Sequence, residues 1–295
     1  MVEHRIDNPG VAASVASLPT RPLRKCRCIV VRIRAGATSH EVHLGGDVDR
    51  TAWSGFLDAI HEARKELSCE HSGAWFRGVS NCRYRLYPTL LRPRARIDLK
   101  RERAIYEDAE DFTIVETART MSSWERLVQL QHHGTPTRLL DWTETFGVAL
   151  YFALGGSNFS NPRSPALWIL NPFKLAQLSR KNNDKRIGVF HKESNTDYFV
   201  HFVQGAQLTW PFRAPMPYRP PKIDHRIRAQ RGFFTVHGTD ARPLDAIFRE
   251  CVRQVRIPQS ALPSARQFLE LAGIDTLALL PDLEGFSKHL RERYE

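Results

Sequence analysis

The chain has 295 residues, of which 42% are hydrophobic and 25% are charged, a composition typical of a globular protein with a substantial core. Lys and Arg outnumber Asp and Glu by 11, which favours an anionic partner such as DNA, RNA or a phosphorylated cofactor. No apolar run reaches 18 residues, so no transmembrane helix and no membrane partner are expected. The five cysteines form neither a disulfide framework nor a zinc motif, and no metal is expected.

The first 50 residues differ in pattern from the rest of the chain. Residues 1–25 lack the apolar centre of a secretory signal, so we expect a flexible arm and a cytoplasmic protein. Residues 26–50 include CIVVRIR, whose β-branched alternation predicts a β-hairpin appendage. No break in composition marks a true linker after this appendage, and residues 51–295 are expected to form one domain.

Helices and strands follow each other irregularly from residue 51 onward. TAWSGFLDAIHEARKELS has an N-cap candidate in Thr51 and apolar residues at helical spacing, which predicts a helix. AWFRG predicts a short buried strand that ends at Gly78, and KRERAIYEDAEDFTIVETART predicts a long surface helix of mixed charge. SSWERLVQLQHHG predicts a helix that begins with a capping box, Ser122 and Glu125, and ends before Gly134.

The next elements surround the most apolar part of the chain. TRLLDWT predicts a strand whose last residue, Thr143, caps the helix that follows. That helix, FGVALYFAL, is apolar almost all round, so burial is expected, with Phe152 and Ala153 in the core. PALWIL predicts a buried strand, and five prolines between residues 211 and 221 predict a loop.

The last third of the chain again mixes both kinds of element. RIRAQRGFFTVHG predicts a strand, PLDAIFRECVRQVRI a helix and a strand, and SARQFLELAG a capped helix. TLALLPDLEGFSKHLRERY predicts a strand, a turn shaped by Asp282 and Glu284, and a final helix. Because strands and helices mix without a regular βαβ alternation, the sequence predicts an α+β fold with mixed or antiparallel sheets.

The segment QHHGTPTRLLDWT, residues 131–143, carries more functional groups than a turn requires. The chain has no dinucleotide-binding glycine motif, P-loop, zincin motif or serine-hydrolase elbow. Any reaction would therefore depend on residues that the fold brings together.

Four blocks occur in succession: WFRGVSNCRYRLYPTLLR, QHHGTPTRLLDWTETFGVALYFA, RIRAQRGFFTV and LLPDLEGF. They resemble the motifs of the FRG domain family, named for a Phe-Arg-Gly tripeptide that stands here at residues 76–78. The resemblance covers residues 50–295 approximately and is most specific at residues 131–153. Because the function of that family is unassigned, the resemblance implies a domain without naming a reaction.

A second resemblance is to toxin-type ADP-ribosyltransferases, which carry three motifs in a fixed order. An arginine on a first strand corresponds to Arg77, and a polar strand end before a helix with Ala-x2-Phe-Ala corresponds to residues 141–153. A third strand with Gln/Glu-x-Glu corresponds to Gln230-Arg231-Gly232. This resemblance implies an ADP-ribosyltransferase-like split-sheet core and NAD as a substrate. Since Gly232 stands at the position of the catalytic glutamate, another acid serves or the fold is kept without the activity.

The chemistry of NAD cleavage suggests roles for the residues in these motifs. Breaking the nicotinamide–ribose bond passes through an oxocarbenium-like state, as in glycoside cleavage. A site needs cationic groups for phosphates, a carboxylate near the developing charge, and groups that orient the substrate. The resemblance and this chemistry imply the catalytic residues Arg77, Asp141 and His132. They imply the cofactor-binding residues Phe76, Gly78, Arg138, Trp142, Thr143 and Gln230.

Most of these residues also have a structural interpretation. Arg77 can form an ion pair with Asp141, and Trp142 can fill the core. His132 can end its helix, and Gln230 can bind backbone. These alternatives stay open at the level of sequence.

Three hypotheses about function follow. The first is an NAD-consuming, ADP-ribosyltransferase-like enzyme that acts on nucleic acid or protein in a bacterial toxin or antiphage setting, as the resemblance implies. The second is a non-catalytic module that binds a nucleotide or nucleic acid. The third is a protein-interaction or regulatory domain, which the basic composition does not support. The sequence leaves the oligomeric state open.

Overall fold

The computed structural model describes most of the chain from residue 50 onward. The described ranges are 50–70, 73–93, 99–116, 121–155, 164–180, 214–220, 225–238 and 240–294. The predicted arm and, apart from residue 50, the predicted hairpin lie outside the described residues. Within the described ranges, no helix combines the length and the apolar character needed to cross a membrane.

Six strands and ten helices are assigned in these ranges. The strands are β1 (Trp75–Val79), β2 (Leu139–Thr143), β3 (Ala166–Leu170), β4 (Met216–Tyr218), β5 (Gly232–Val236) and β6 (Val252–Arg256). The helices are α1 (Arg50–Glu66), α2 (Leu99–Glu116), α3 (Ser123–His132), α4 (Phe146–Ala153), α5 (Pro172–Arg180), α6 (His225–Ala229), α7 (Leu244–Ile247), α8 (Leu262–Leu271), α9 (Thr276–Leu279) and α10 (Leu283–Tyr294).

The six strands form one sheet in the order β4-β5-β2-β1-β3-β6, and every neighbouring pair is antiparallel. The two central strands, β1 and β2, come from the FRG tripeptide and the LLDWT segment. The predicted α+β class with antiparallel pairing is therefore confirmed. The described strands form a single sheet, and the ADP-ribosyltransferase-like split core is not confirmed.

The apolar stripe of α1 and the apolar helix α4 pack together with α8 in one core cluster. Helix α4 also crosses β1 closely at Gly78. A Cβ atom on Gly78 would lie 1.9 Å from the carbonyl oxygen of Ala149 and 2.5 Å from the backbone nitrogen of Ala153. The glycine is thus required by helix–strand packing, since no side chain fits in this gap.

Several predicted boundaries and caps are confirmed. Ser122 caps α3, because its side chain accepts from the backbone N–H of Glu125 while the Glu125 carboxylate accepts from the backbone N–H of Ser122. The chain leaves α3 through Gly134, whose φ of +80° is the left-handed conformation that glycine adopts at low cost.

Two predicted N-caps are wrong. Helix α1 already begins at Arg50, so Thr51 lies inside its first turn. Helix α4 begins at Phe146 after Thr145, two residues beyond Thr143. The Thr143 hydroxyl instead accepts from the backbone N–H of Thr145 and donates to the carbonyl oxygen of Gln230 at 2.6 Å. It therefore ties the end of β2 to the turn before β5.

Three predicted elements have a different conformation. The proline-rich loop contains the short strand β4, which is possible because β4 lies at the edge of the sheet, where proline is tolerated. RIRAQ is mostly the helix α6 rather than strand, and TLALL contains the helix α9. In both cases the apolar residues are too few to distinguish a single helical turn from a strand.

Candidate functional site

A cavity of about 480 Å³ lies where α3, α4 and α6 meet the central strands of the sheet. This volume falls within the range of small-molecule pockets. Eight of the nine residues predicted from sequence line it, namely Phe76, Arg77, Gly78, His132, Asp141, Trp142, Thr143 and Gln230. These residues come from segments far apart in the chain, so the fold brings the three predicted motifs to one place.

Arg77 and Asp141 are in direct contact in the wall of the cavity. Nη1 of Arg77 donates to the backbone oxygen of Asp141 at 2.8 Å and to its Oδ2 at 3.3 Å. The arginine side chain is 21% exposed, whereas the aspartate side chain is 54% exposed. Burial lowers the pKa of Arg77, and the nearby Asp141 acts in the opposite direction. The predicted ion pair therefore exists, and its carboxylate remains open to the cavity.

Gln131 is a cavity residue that the sequence analysis did not select. Its Nε2 donates to both carboxylate oxygens of Asp141 at 3.0 Å, and its Oε1 accepts from the hydroxyl of Thr137. The amide orientation is therefore fixed on both sides. Gln131 is the first residue of the QHHG block. Its contact with Asp141 depends on how the last turn of α3 packs over β2, which the sequence does not show.

A second polar cluster forms around Arg226 of α6, which lines the cavity through its arginine. Arg226 binds both carboxylate oxygens of Asp282, and its Nη2 also donates to Glu284 at 2.7 Å. These contacts hold the pKa of Asp282 down at about 2, chiefly through the hydrogen bond from Arg226. The predicted turn role of Asp282 is also present, since its Oδ1 accepts from the backbone N–H of Gly285.

His132 lies beside this group at the end of α3. Its Nε2 is 3.8 Å from Oδ2 of Asp282, and its ring stacks on that of His133 with centroids 4.8 Å apart. The side chain is 12% exposed and lines the cavity. His132 is thus within reach of a ligand and near a carboxylate.

The two aromatic residues predicted to bind the cofactor belong mainly to the core. Phe76 is 6% exposed and contacts Phe146 edge to face. Trp142 is 3% exposed, and its Nε1 donates to the hydroxyl of Thr235. The prediction that Phe152 lies in the core is wrong, because its side chain is 40% exposed and lines the cavity. Helix α4 is buried on its other sides, so its apolar sequence gave no sign of this opening.

Gln230 lines the cavity just before β5, and Gly232 is the first residue of that strand. Nε2 of Gln230 donates to the carbonyl oxygen of Leu279 at 3.1 Å. Gly232 pairs with Thr143, and a Cβ atom there would make an ordinary 3.7 Å contact with Ile227, so packing does not require glycine. Asp141 is the single carboxylate among the described residues that line the cavity.

Arg138 is the predicted site residue that does not line this cavity. Its guanidinium is 2% exposed and forms a two-pronged ion pair with Glu102 of α2, with both distances 2.6 Å. Its Nη1 donates to the carbonyl oxygen of Gly238 at 2.6 Å. The helix α2, predicted to lie on the surface, therefore contributes a buried charge. The placement of Arg138 is structural rather than at the cavity.

His237 is fully buried next to this ion pair. Its Nε2 is 3.2 Å from the hydroxyl of Thr235, and its Nδ1 has no hydrogen-bond partner within the described part of the chain. Burial, followed by the positive charges of Arg138 and Arg77, lowers the pKa of His237 from 6.5 to about 3. The imidazole is therefore neutral in the folded protein at neutral pH.

We expect this histidine to make folding sensitive to mild acid. Because the pKa of His237 is lower in the folded than in the unfolded chain, its contribution is intact above pH 6.5 and is lost as pH falls towards 3. The free energy of unfolding should fall by about 1.4 kcal/mol per pH unit below pH 6.5. Urea denaturation at pH 7, 6 and 5 measures this slope.

Two variants isolate the effect of His237. His237→Gln should have a smaller slope between pH 7 and pH 5 than the wild type, whereas His61→Gln, at an exposed position of α1, should retain the wild-type slope. Equal slopes for the wild type and His237→Gln would assign the acid sensitivity to other groups.

Across the described ranges, no group of three His, Cys, Asp or Glu side chains could hold a metal ion. The cavity is lined by two guanidinium groups, one carboxylate, an imidazole, two side-chain amides and exposed aromatic rings. Such a set suits a ligand that has both anionic and flat aromatic parts.

Comparison with known proteins identifies one family. Residues 72–161 match the family model of the FRG domain, a stretch that includes β1, α2, α3, β2 and α4. No curated protein and no solved structure matches the chain significantly. The matched stretch contains the Arg77–Asp141 contact, whereas Arg226, Gln230 and Leu280 of the cavity follow it. Over residues 72–161, the chain is thus similar to the FRG domain family.

Proposed function

We propose that the cavity binds NAD and that the chain cleaves its nicotinamide–ribose bond, transferring ADP-ribose to nucleic acid or protein. The observation that carries this proposal is the convergence of Arg77, Asp141 and Gln230 on one cavity. They represent the three motifs that resemble those of ADP-ribosyltransferases. A bacterial toxin or antiphage setting is part of the proposal through that resemblance.

The groups of the cavity can be assigned to steps of this reaction. The bond between ribose C1′ and the nicotinamide nitrogen breaks, and nicotinamide leaves with the electron pair. The carboxylate of Asp141 lies at the cavity surface, where it stabilises the positive charge that develops on the ribose. An acceptor nucleophile then bonds to C1′, and His132 accepts its proton. Arg77 provides the positive charge for the anionic part of NAD.

In this proposal, Asp141 takes the role of the catalytic glutamate, whose motif position is occupied here by Gly232. Its orientation is fixed by two donors, Arg77 and Gln131, so little reorganisation is needed when charge develops. The exposed ring of Phe152 replaces Phe76 and Trp142 as the stacking surface for nicotinamide.

A second candidate function is a non-catalytic module that binds a nucleotide or nucleic acid. The same contacts favour it, because both oxygens of Asp141 are already engaged by Gln131 and one of them also by Arg77. Gly232 at the position of the motif glutamate also favours it. Where the bound nucleotide is NAD, the two functions differ only in whether the glycosidic bond breaks.

Nicotinamide release from NAD tests the enzyme. We expect the wild type to release nicotinamide. Asp141→Asn should release it at least about 100-fold more slowly, because the negative charge held next to the developing cation is lost. Arg77→Ala should weaken NAD binding about tenfold or more, since a charge-assisted contact is removed. Chromatography of nicotinamide and calorimetric titration of NAD measure the two quantities.

Asp58→Asn is the matched control, because Asp58 is exposed on α1 and does not line the cavity. It should behave like the wild type in both assays. Binding of NAD without release of nicotinamide, in the presence of DNA, RNA and cell lysate, would select the non-catalytic module. If NAD neither binds nor raises the melting temperature, both readings of the NAD site are lost.

A further inference from the structure

The loop that follows β1 brings an exposed aromatic ring into the wall of the cavity. Tyr84 is 57% exposed and lines the cavity together with Ser80. Its neighbours Arg83 and Arg85 are exposed as well. An exposed ring in the wall of a cavity, with exposed arginines next to it in sequence, is a combination that can stack on bases and bind phosphates.

The loop is anchored although its tip is exposed. The Asn81 side chain accepts from the backbone N–H of Arg83 at 2.9 Å, and the backbone N–H of Tyr84 donates to the Asn81 carbonyl at 3.0 Å. Nε1 of Trp168 donates to the carbonyl oxygen of Tyr84 at 3.3 Å. Because the backbone on both sides of the ring is held, a ligand that stacks there pays little ordering entropy.

A second exposed ring lines the same cavity. Phe152 is the one outward-facing apolar side chain of α4, a helix that is otherwise buried or half-buried. An exposed phenylalanine ring in a concave wall is a flat apolar surface whose hydration is unfavourable. The cavity thus offers two separate ring faces, which exceeds what one ribose–nicotinamide unit requires.

Two arginines in the segment after β1 have no acidic partner among the described residues. Within the described ranges, neither Arg83 nor Arg92 forms an ion pair, in contrast to Arg85, which pairs with Asp245. Burial is the main cause of the lowered pKa of Arg77, a cavity residue, and the positive charge of Arg92 lowers that pKa further. The chain as a whole carries 11 more basic than acidic residues. These charges favour a polyanion at this side of the molecule.

We infer that the macromolecule bound at this cavity is a single-stranded nucleic acid, with one base stacked on Tyr84 and the adjacent phosphates bound by Arg83 and Arg92. A base that remains stacked in a duplex cannot present its face to a ring in a cavity wall, whereas an unpaired base can. The inference rests on the proposed function for the statement that this strand is the ADP-ribose acceptor. Binding of the strand itself is independent of NAD.

Fluorescence anisotropy with labelled 20-mers of dT and of U, and with a 20-bp duplex, tests this inference. We expect both single strands to bind more tightly than the duplex, and the comparison of dT with U distinguishes DNA from RNA. Tyr84→Ala should weaken binding of the preferred strand about tenfold or more, whereas Tyr84→Phe should retain it because the ring face is kept. Arg83→Ala and Arg92→Ala should each reduce the slope of log affinity against log salt by about 0.7.

Arg256→Ala is the matched control, because Arg256 is exposed on the outermost strand β6 and does not line the cavity. Arg256→Ala should bind the preferred single strand with the affinity of the wild type. Since the Tyr84 ring is exposed, thermal unfolding of Tyr84→Ala should match the wild type. Equal affinity of wild type and Tyr84→Ala, tighter binding of the duplex, or no binding at 50 mM salt would each overturn the inference.

Separate assays distinguish this inference from the proposed function. Strand binding without NAD binding would keep the inference and remove the enzyme. Nicotinamide release with transfer of label to protein, and no strand binding, would keep the enzyme and remove the inference.

Discussion

Replacing Gly78 by alanine is expected to lower the free energy of unfolding by about 3 kcal/mol or more. The added methyl carbon would lie 1.9 Å from the carbonyl oxygen of Ala149, which belongs to the backbone of α4 and cannot rotate away. Relief requires the whole helix to move off β1, and the cavity wall would move with it. Urea denaturation followed by circular dichroism measures the change.

The same substitution at Gly55 provides the control. Gly55 is exposed on α1, and a Cβ atom there would have no neighbour within 4 Å. Gly55→Ala should therefore raise stability by up to about 1 kcal/mol, because alanine is the better helix former. If Gly78→Ala is as stable as the wild type, α4 does not approach β1 as described.

Removing the carboxylate of Glu102 is expected to cost about 3–5 kcal/mol, because a buried guanidinium would lose its counter-charge. Arg138 is 2% exposed, and two of its nitrogens bind the Glu102 carboxylate at 2.6 Å. We expect Glu102→Ala to show a lower urea midpoint with loss of the α2 contact. Arg138→Met together with Glu102→Leu should cost less than the sum of the single changes, since no unpaired charge remains.

The exposed pair on the same helix serves as the comparison. Arg103 and Glu107 are four residues apart on α2, with side chains 52% and 45% exposed. Glu107→Ala should change stability by about 0.5 kcal/mol or less, because water screens exposed ion pairs. Equal costs for Glu102→Ala and Glu107→Ala would mean that the buried pair contributes no more than a surface pair.

Much of the architecture is predictable because local signals dominate it. The capping box at Ser122 and the glycine at 134 define α3 without help from the rest of the fold. The strands β1, β2 and β3 are short apolar runs that agree with their buried environment. The order of the motifs along the chain predicts most of the cavity residues, because the motifs lie on β1, β2 and β5, which are neighbours in the sheet.

The incorrect predictions concern features that depend on distant partners. Whether a charged residue faces solvent or a partner cannot be read from helical spacing, as the burial of Glu102 against Arg138 shows. Phe152 lies in an apolar helix, and its exposure is decided by the cavity rather than by its neighbours in sequence. The sequence pattern around Arg226 predicts a strand, and it gives no sign of the contact with Asp282, 56 residues later.

The strand order also determines when the central sheet can be completed during synthesis. β1 and β2 stand at its centre, yet the strands that flank them, β3 and β5, follow later in the chain. The outer neighbour of β2 is β5, which begins at Gly232, and the outer neighbour of β3 is β6, which begins at Val252. A growing chain that has been synthesised up to residue 161 therefore contains β1 and β2, whose outer edges are still unpaired. The sheet is completed only by late pairing between strands that are distant in sequence. Such pairing is slow and allows incorrect association with other chains.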